Sequence, residues 1–344
     1  MRPKGWEESV RLEGVERMLG RPPAMRGGRG KRSSPTTWRW VDRVALAFAW
    51  GAGIGLCLVA GAIVVYMAYR GVQYLRPELL VQRPAISTSQ SGSGGFLDPL
   101  IGTALLTVIG ILLAVPLAIG GALWIVEYGR PTWLARMVES SIEMVAGTPD
   151  IVIALFGLSL FQLSFMAPFS FKAEGGGVFG KSYIAAGAMM SLIALPPLFT
   201  ATRDGLQAVP GHMREAAFAL GKTRIATIRR VLLPSVRSNI ATGITLGVSR
   251  IIGDTAIIVL LLGDSLRIDP QGGVPGLGVL RGTGSTLTSY VYNNSPAGEA
   301  SAPQKAYAAA FVLLLFVLAL NLLVDRIGRS QADATGLTVA GATV

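Results

Sequence analysis

Apolar residues in this chain do not recur at the spacing of a half-buried helix; they arrive in long runs. Five segments, about 44–69, 99–126, 183–202, 239–263 and 307–324, are apolar over the roughly 20 residues that a helix needs to cross a bilayer. Lipid offers the backbone no hydrogen bonds, so such runs are expected to be helical. A sixth, 142–165, is interrupted by "GTPD" (Gly147–Asp150) and is counted as a span because "IVIALFGLSLF" alone is too short to cross. The pattern predicts an all-α integral membrane protein of six transmembrane helices.

The polar remainder gives an orientation. With the N-terminus inside, the arm Met1–Arg43, the loops 127–136 and 203–237 and the tail after Val324 carry 22 Lys and Arg, against eight on the opposite side. Cytoplasmic loops are enriched in these residues, so both termini are expected in the cytoplasm of a prokaryotic cell, with the protein multi-pass in the plasma membrane. The expected divisions are a basic arm 1–43, a transmembrane domain 44–330 and a tail 331–344. The arm lacks sustained apolar periodicity and reads as largely disordered, with Trp38 and Trp40 as interfacial anchors and loose attraction to anionic lipid.

Composition narrows the function. The net charge of +11 suits a nucleic-acid binder, but 51% hydrophobic and 15% charged residues point to membrane lipid and away from nucleic acid. One cysteine, Cys57, and one histidine, His212, leave no disulfide framework and no usual zinc-ligand set. No cofactor or catalytic constellation is expected.

"GGGVFGKS", Gly175–Ser182, fits the phosphate-loop spacing G-x-x-x-x-G-K-[ST] and raises a rival reading, a membrane enzyme with its own nucleotide site. A working phosphate loop follows a buried strand and opens a soluble helix. Here "APFSFKAE" precedes it, a membrane span follows, and the charge count puts it on the side away from cytoplasmic ATP. A flexible external turn is the expectation.

The basic loop 203–235 is more informative. "REAAFALGKTRIATIRRVLLP" predicts a short helix, a turn at Gly221 and a second helix ended by Pro234. Glu215-Ala216-Ala217, Gly221, Val231, Leu233 and Pro234 match E-A-A-x3-G-x9-I-x-L-P, with Val231 for Ile, and so resemble the "EAA" loop of binding-protein-dependent ABC importer permeases. The resemblance implies a MetI-like permease fold whose two cytoplasmic coupling helices dock on a separate ATP-binding subunit. The bland alternative is a basic amphipathic loop on lipid headgroups.

Within that family, "LIGTALLTVIGILLAVPLAIGGALWIVEYG" (100–129), "IEMVAGTPDIVIALFGLSLF" (142–161) and "GVSRIIGDTA" (247–256) resemble permeases of the phosphate-specific transport (Pst) system over about residues 95–330. "WIVEYG" and "GLSLF" lean to the PstA-type subunit. The resemblance implies a phosphate permease without chemistry of its own, working with a PstC-like permease, two PstB-like ATPase subunits and a PstS-like extracytoplasmic phosphate-binding protein. The docking loop alone leaves other cargo open: sulfate, molybdate or phosphonate.

Arg250 and Asp254 are the charges inside a span, where charge is costly and faces a partner or a water-filled path. Four residues apart on a helix, they are expected to meet on one face. They could form a self-neutralising packing pair, or Arg250 could offer its guanidinium to phosphate while Asp254 holds and releases it. The Pst resemblance, R-x-x-G-E-T, implies the second role, with Asp254 here in place of Glu. Asp150 stands where the family has Ser; it is expected to cap the following helix, the alternative being a place in the pathway.

Overall fold

A computed structural model describes residues 40–84, 94–129, 131–172, 176–263, 265, 268, 277–296 and 302–333. Most of the basic arm with Trp38, much of the Ser/Gly-rich loop 87–95 and the last residues of the tail lie outside the described residues. The chain divides into two compact units, Met1–Val64 and Val65–Val344. In the first, the described part belongs to one helix, α1 (Trp40–Tyr74), which carries Phe48, Leu56 and Leu58 on its surface.

The described residues are almost wholly helical. After α1 come α2 (Pro77–Val81), α3 (Leu97–Leu123) with a π-turn (Trp124–Tyr128), α4 (Thr132–Gly147), α5 (Asp150–Phe161) and α6 (Tyr183–Ala208). Then follow α7 (Gly211–Ala219), α8 (Arg224–Thr227), a second π-turn (Ile228–Leu232), α9 (Leu233–Ser235) and α10 (Arg237–Gly253). The last are α11 (Ala256–Leu261), α12 (Leu277–Arg281), α13 (Leu287–Asn294) and α14 (Pro303–Asp333).

Four helices among the described residues are long and apolar enough to cross a bilayer: 42–74, 97–128, 183–208 and 303–328. The interrupted segment is α4 and α5, bent by 107° at the break between them, so it makes a fifth span only as a bent pair. The run 239–263, expected as one helix, is divided at Asp254 and Thr255 into α10 and α11. Its apolar letters are continuous; its backbone is not.

α6 is the central helix. It buries Tyr183, Met190, Leu198, Phe199 and Leu206 against α3 and α10. Close approach there depends on small residues: a Cβ on Gly110 of α3 would stand 2.8 Å from Cδ1 of Ile251. Outward, Val108, Leu112 and Leu117 of α3 stay exposed, an apolar surface suited to lipid or another membrane subunit.

Candidate functional site

Two places gather the residues singled out above, one at the hairpin α7–α9 and one where two helices break.

The hairpin follows α6, which runs past the expected end at Thr202 to Ala208. Arg203 leaves the apolar stretch by bonding Glu139 of α4 at 3.3 Å and lying 5.9 Å over the Phe199 ring. α7 ends at Gly221, whose φ of 72° is the left-handed backbone that glycine adopts without a Cβ penalty. Its N–H and that of Lys222 bond back to Phe218 and Ala217 carbonyls at 2.9 and 3.1 Å. Thr223 then caps α8 through the Ala226 N–H, 3.3 Å away.

Pro234 lies in the last turn of the second helix, which follows the π-turn and stops one residue later at Ser235. Leu232 is fully buried beside Leu206, Val209 and Val236, while Val231, Leu233 and Pro234 are half-buried. Ala217 is buried; Glu215, Ala216 and Gly221 are exposed. The tip also exposes large apolar groups, Leu220 at 79% and Ile225 at 60%.

Sequence reasoning missed what anchors this hairpin. The π-turn at the end of α3 presents Glu127 and Tyr128 in succession. Arg214 donates from Nε to Glu127 at 2.9 Å, from Nη1 to the Val209 carbonyl at 3.0 Å and from Nη2 to the Leu206 carbonyl at 2.8 Å. Arg224 lies 5.6 Å over the Tyr128 ring. The signal was present as an acidic residue in "WIVEYG" and an arginine next to Glu215, but nothing in spacing pairs residues 87 apart.

The second place corrects two expectations. Arg250 and Asp254 do not pair along one helix face, because α10 stops at Gly253 and Asp254 is extended (φ −78°, ψ 131°). The Asp254 carboxylate instead accepts the Ile257 N–H at 2.8 Å, tying down the start of α11. Asp150 caps nothing: Pro149 holds the cap position, and Asp150, first residue of α5, takes Nη2 of Arg250 at 2.8 Å on one oxygen and 3.1 Å on the other. The carbonyl of Ile252, freed by the break, is met by the Thr288 hydroxyl of α13 at 2.8 Å. A guanidinium, half-exposed, and two carboxylates thus collect where α5 and α11 begin.

"GGGVFGKS" is no phosphate loop. A 3-10 turn, Ser164–Phe169, precedes it rather than a strand, and Lys172 and Val178 form only an isolated bridge. Ser182 is fully buried and caps α6 by accepting the Ala185 N–H at 3.0 Å, so its hydroxyl is already used.

A helical bundle with exposed apolar flanks, two helix breaks meeting at an ion pair and an anchored helical hairpin suits a membrane-embedded subunit. Residues 107–333 match the family described as "Binding-protein-dependent transport system inner membrane component", and the chain belongs to that family. It is a permease component; ATP hydrolysis resides on a separate subunit. The chain is 30% identical over 237 residues to the "Phosphate transport system permease protein PstC" of Xylella fastidiosa (strain 9a5c), covering 65% of this chain and 69% of that one. It is 31% identical over 230 residues to the "Phosphate transport system permease protein PstA 1" of Mycobacterium tuberculosis (strain CDC 1551 / Oshkosh), covering 67% and 69%. Among solved structures, a chain of a bacterial alginate ABC transporter in complex with an alginate pentasaccharide-bound periplasmic protein matches with a TM-score of 0.58 at 16% identity, over 85% of this chain and 96% of that one. That likeness is one of fold.

Proposed function

We propose that this chain is a phosphate permease subunit that spans the plasma membrane six times with both termini cytoplasmic, as the bent pair α4–α5 and the broken pair α10–α11 each make one crossing. The transmembrane domain covers 44–330, between the basic arm and the tail. A PstC-like permease is its membrane partner, two PstB-like subunits hydrolyse ATP beneath it, and a PstS-like binding protein delivers phosphate from outside. "WIVEYG" and "GLSLF" favour the PstA-type role.

Glu215, Ala216, Ala217, Gly221, Val231, Leu233 and Pro234 form the docking hairpin. Exposed Glu215, Leu220 and Ile225 supply its contact surface, and buried Leu232 and Ala217 its rigidity. Nucleotide-driven motion of the ATPases enters the membrane through Arg214 and Arg224, which join the hairpin to the end of α3. Arg250 and Asp254 line the path: the guanidinium matches phosphate oxygens in charge and donor geometry, and Asp254 fixes the break beside it.

The observation that carries the proposal is the family match, which runs continuously through both the hairpin and Arg250. Uptake of labelled phosphate by cells relying on Arg250→Ala tests it. Loss of uptake at normal membrane abundance is expected; wild-type uptake would remove Arg250 from the path.

A further inference from the structure

Asp150 is the charged group that the transport reading leaves unused. A guanidinium offers two edges for two-point recognition of an oxyanion, Nε with Nη2 and Nη1 with Nη2, and both need Nη2. Asp150 sits on Nη2 with both carboxylate oxygens, at 2.8 and 3.1 Å. The carboxylate therefore crowds the corner that both edges share while the pair stands. Nε and Nη1 make no hydrogen bond among the described residues, so the guanidinium is held at one corner and otherwise free.

Placement favours exchange over permanent locking. Asp150 opens α5, immediately after the 107° bend, and Arg250 stands in the last turn of α10, just before its break. Either half-helix can swing without unwinding a continuous helix. The side chains are 28% and 50% exposed, enough for a solvated anion to reach them. Asp254 lies near enough to feel both charges, but its Oδ1 accepts the Ile257 N–H at the foot of α11, and Asp150 is the carboxylate that pairs with the guanidinium.

Resting on the reading of Arg250 as an anion contact, we propose that Asp150 is an internal competitor for that contact. Its carboxylate keeps Nη2 occupied when no phosphate is present. A phosphate oxygen then replaces it, and its return expels the ion.

The test uses the permease purified with its partner permease and ATPase subunits, without the binding protein. Inorganic phosphate is titrated while the melting temperature is followed. Asp150→Asn removes the competing charge and is expected to lower the half-saturating phosphate concentration roughly two- to five-fold, the scale of a partly exposed ion pair. Asp150→Glu keeps a carboxylate within reach and restores the wild-type concentration. Asp150→Ser repeats the Asn result if the amide variant assembles poorly. A lower starting melting temperature with an unchanged half-saturating concentration would make Asp150 a structural strut and overturn the proposal. Arg250→Ala separates the two levels: loss of its phosphate response with no shift in Asp150→Asn sinks only the competitor role, whereas an intact response in Arg250→Ala sinks the anion contact itself.

Discussion

Nε of Arg214 donates to Glu127 across 2.9 Å and joins the residue before Glu215 to the π-turn that closes α3. The same guanidinium holds the last carbonyls of the α6 end, at Leu206 and Val209. One side chain thus ties α7 to the π-turn of α3 and to the end of α6.

Arg214→Ala leaves a mostly buried Glu127 carboxylate and the Val209 carbonyl without this donor and the Leu206 carbonyl with only the Val209 N–H, at a cost of about 2–3 kcal/mol. Arg214→Lys recovers little, since an ammonium cannot reproduce three directed N–H groups from one planar fork. Thermal melting of the purified complex checks the stability. ATPase stimulation by loaded binding protein checks the coupling, and it is expected to fall in both variants.

Gly221→Ala places a side chain on left-handed backbone and costs about 1 kcal/mol. No heavy atom stands within 4 Å of the added Cβ, so the penalty is conformational, and Gly221→Asn should lose less. Co-purification of the ATPase subunit is expected to weaken in the order Asn, then Ala; equal retention in all three would separate the turn from docking.

Glu215→Ala alters an exposed residue that makes no side-chain bond among the described residues, so melting of the permease should change by less than about 0.5 kcal/mol. Retention of the ATPase on affinity-purified permease should nevertheless drop. A fall in stability without loss of the ATPase would count against a docking role.

Tyr290 is fully buried, and its hydroxyl finds no partner among the described residues. Burial pushes the phenol up to about 12, so it stays neutral at physiological pH. Removing an unpaired buried hydroxyl relieves a desolvation cost, and Tyr290→Phe is expected to match or exceed wild-type melting temperature. Flat stability between pH 6 and 9 at this site follows from the same shift.

ATP binding to the isolated chain should be undetectable, and Lys181→Ala should leave that result unchanged, since the Ser182 hydroxyl is committed to capping α6. Saturable binding lost on that substitution would reopen a nucleotide site at 175–182.

Much of the fold was legible because a bilayer imposes length and polarity on each crossing helix, and α3, α6 and α14 are written as uninterrupted apolar runs. The hairpin was legible because Gly221 needs a backbone that few other residues adopt. "GTPD" marked the first break, but the one after Gly253 was not legible. Nothing in "GVSRIIGDTAIIVLL" is less apolar than an ordinary span apart from the two charges, and the stop at Gly253 is held by Thr288 and Asp150 from elsewhere in the chain. Helical spacing suggested that Arg250 would meet Asp254, and it fails once the helix between them ends.

The Arg250–Asp150 pair also sets an order of events at birth. Asp150 is made a hundred residues before its counter-charge, which at about 5–20 residues per second is roughly 5–20 s of synthesis. Until then its carboxylate has no Arg250 to meet, and seating an unpaired charge at mid-membrane carries an insertion penalty of about 2.5–3.5 kcal/mol. α5, at 12 residues, is too short to hold a span by itself. Late seating of the segment 132–161, after Arg250 emerges, is the expected consequence.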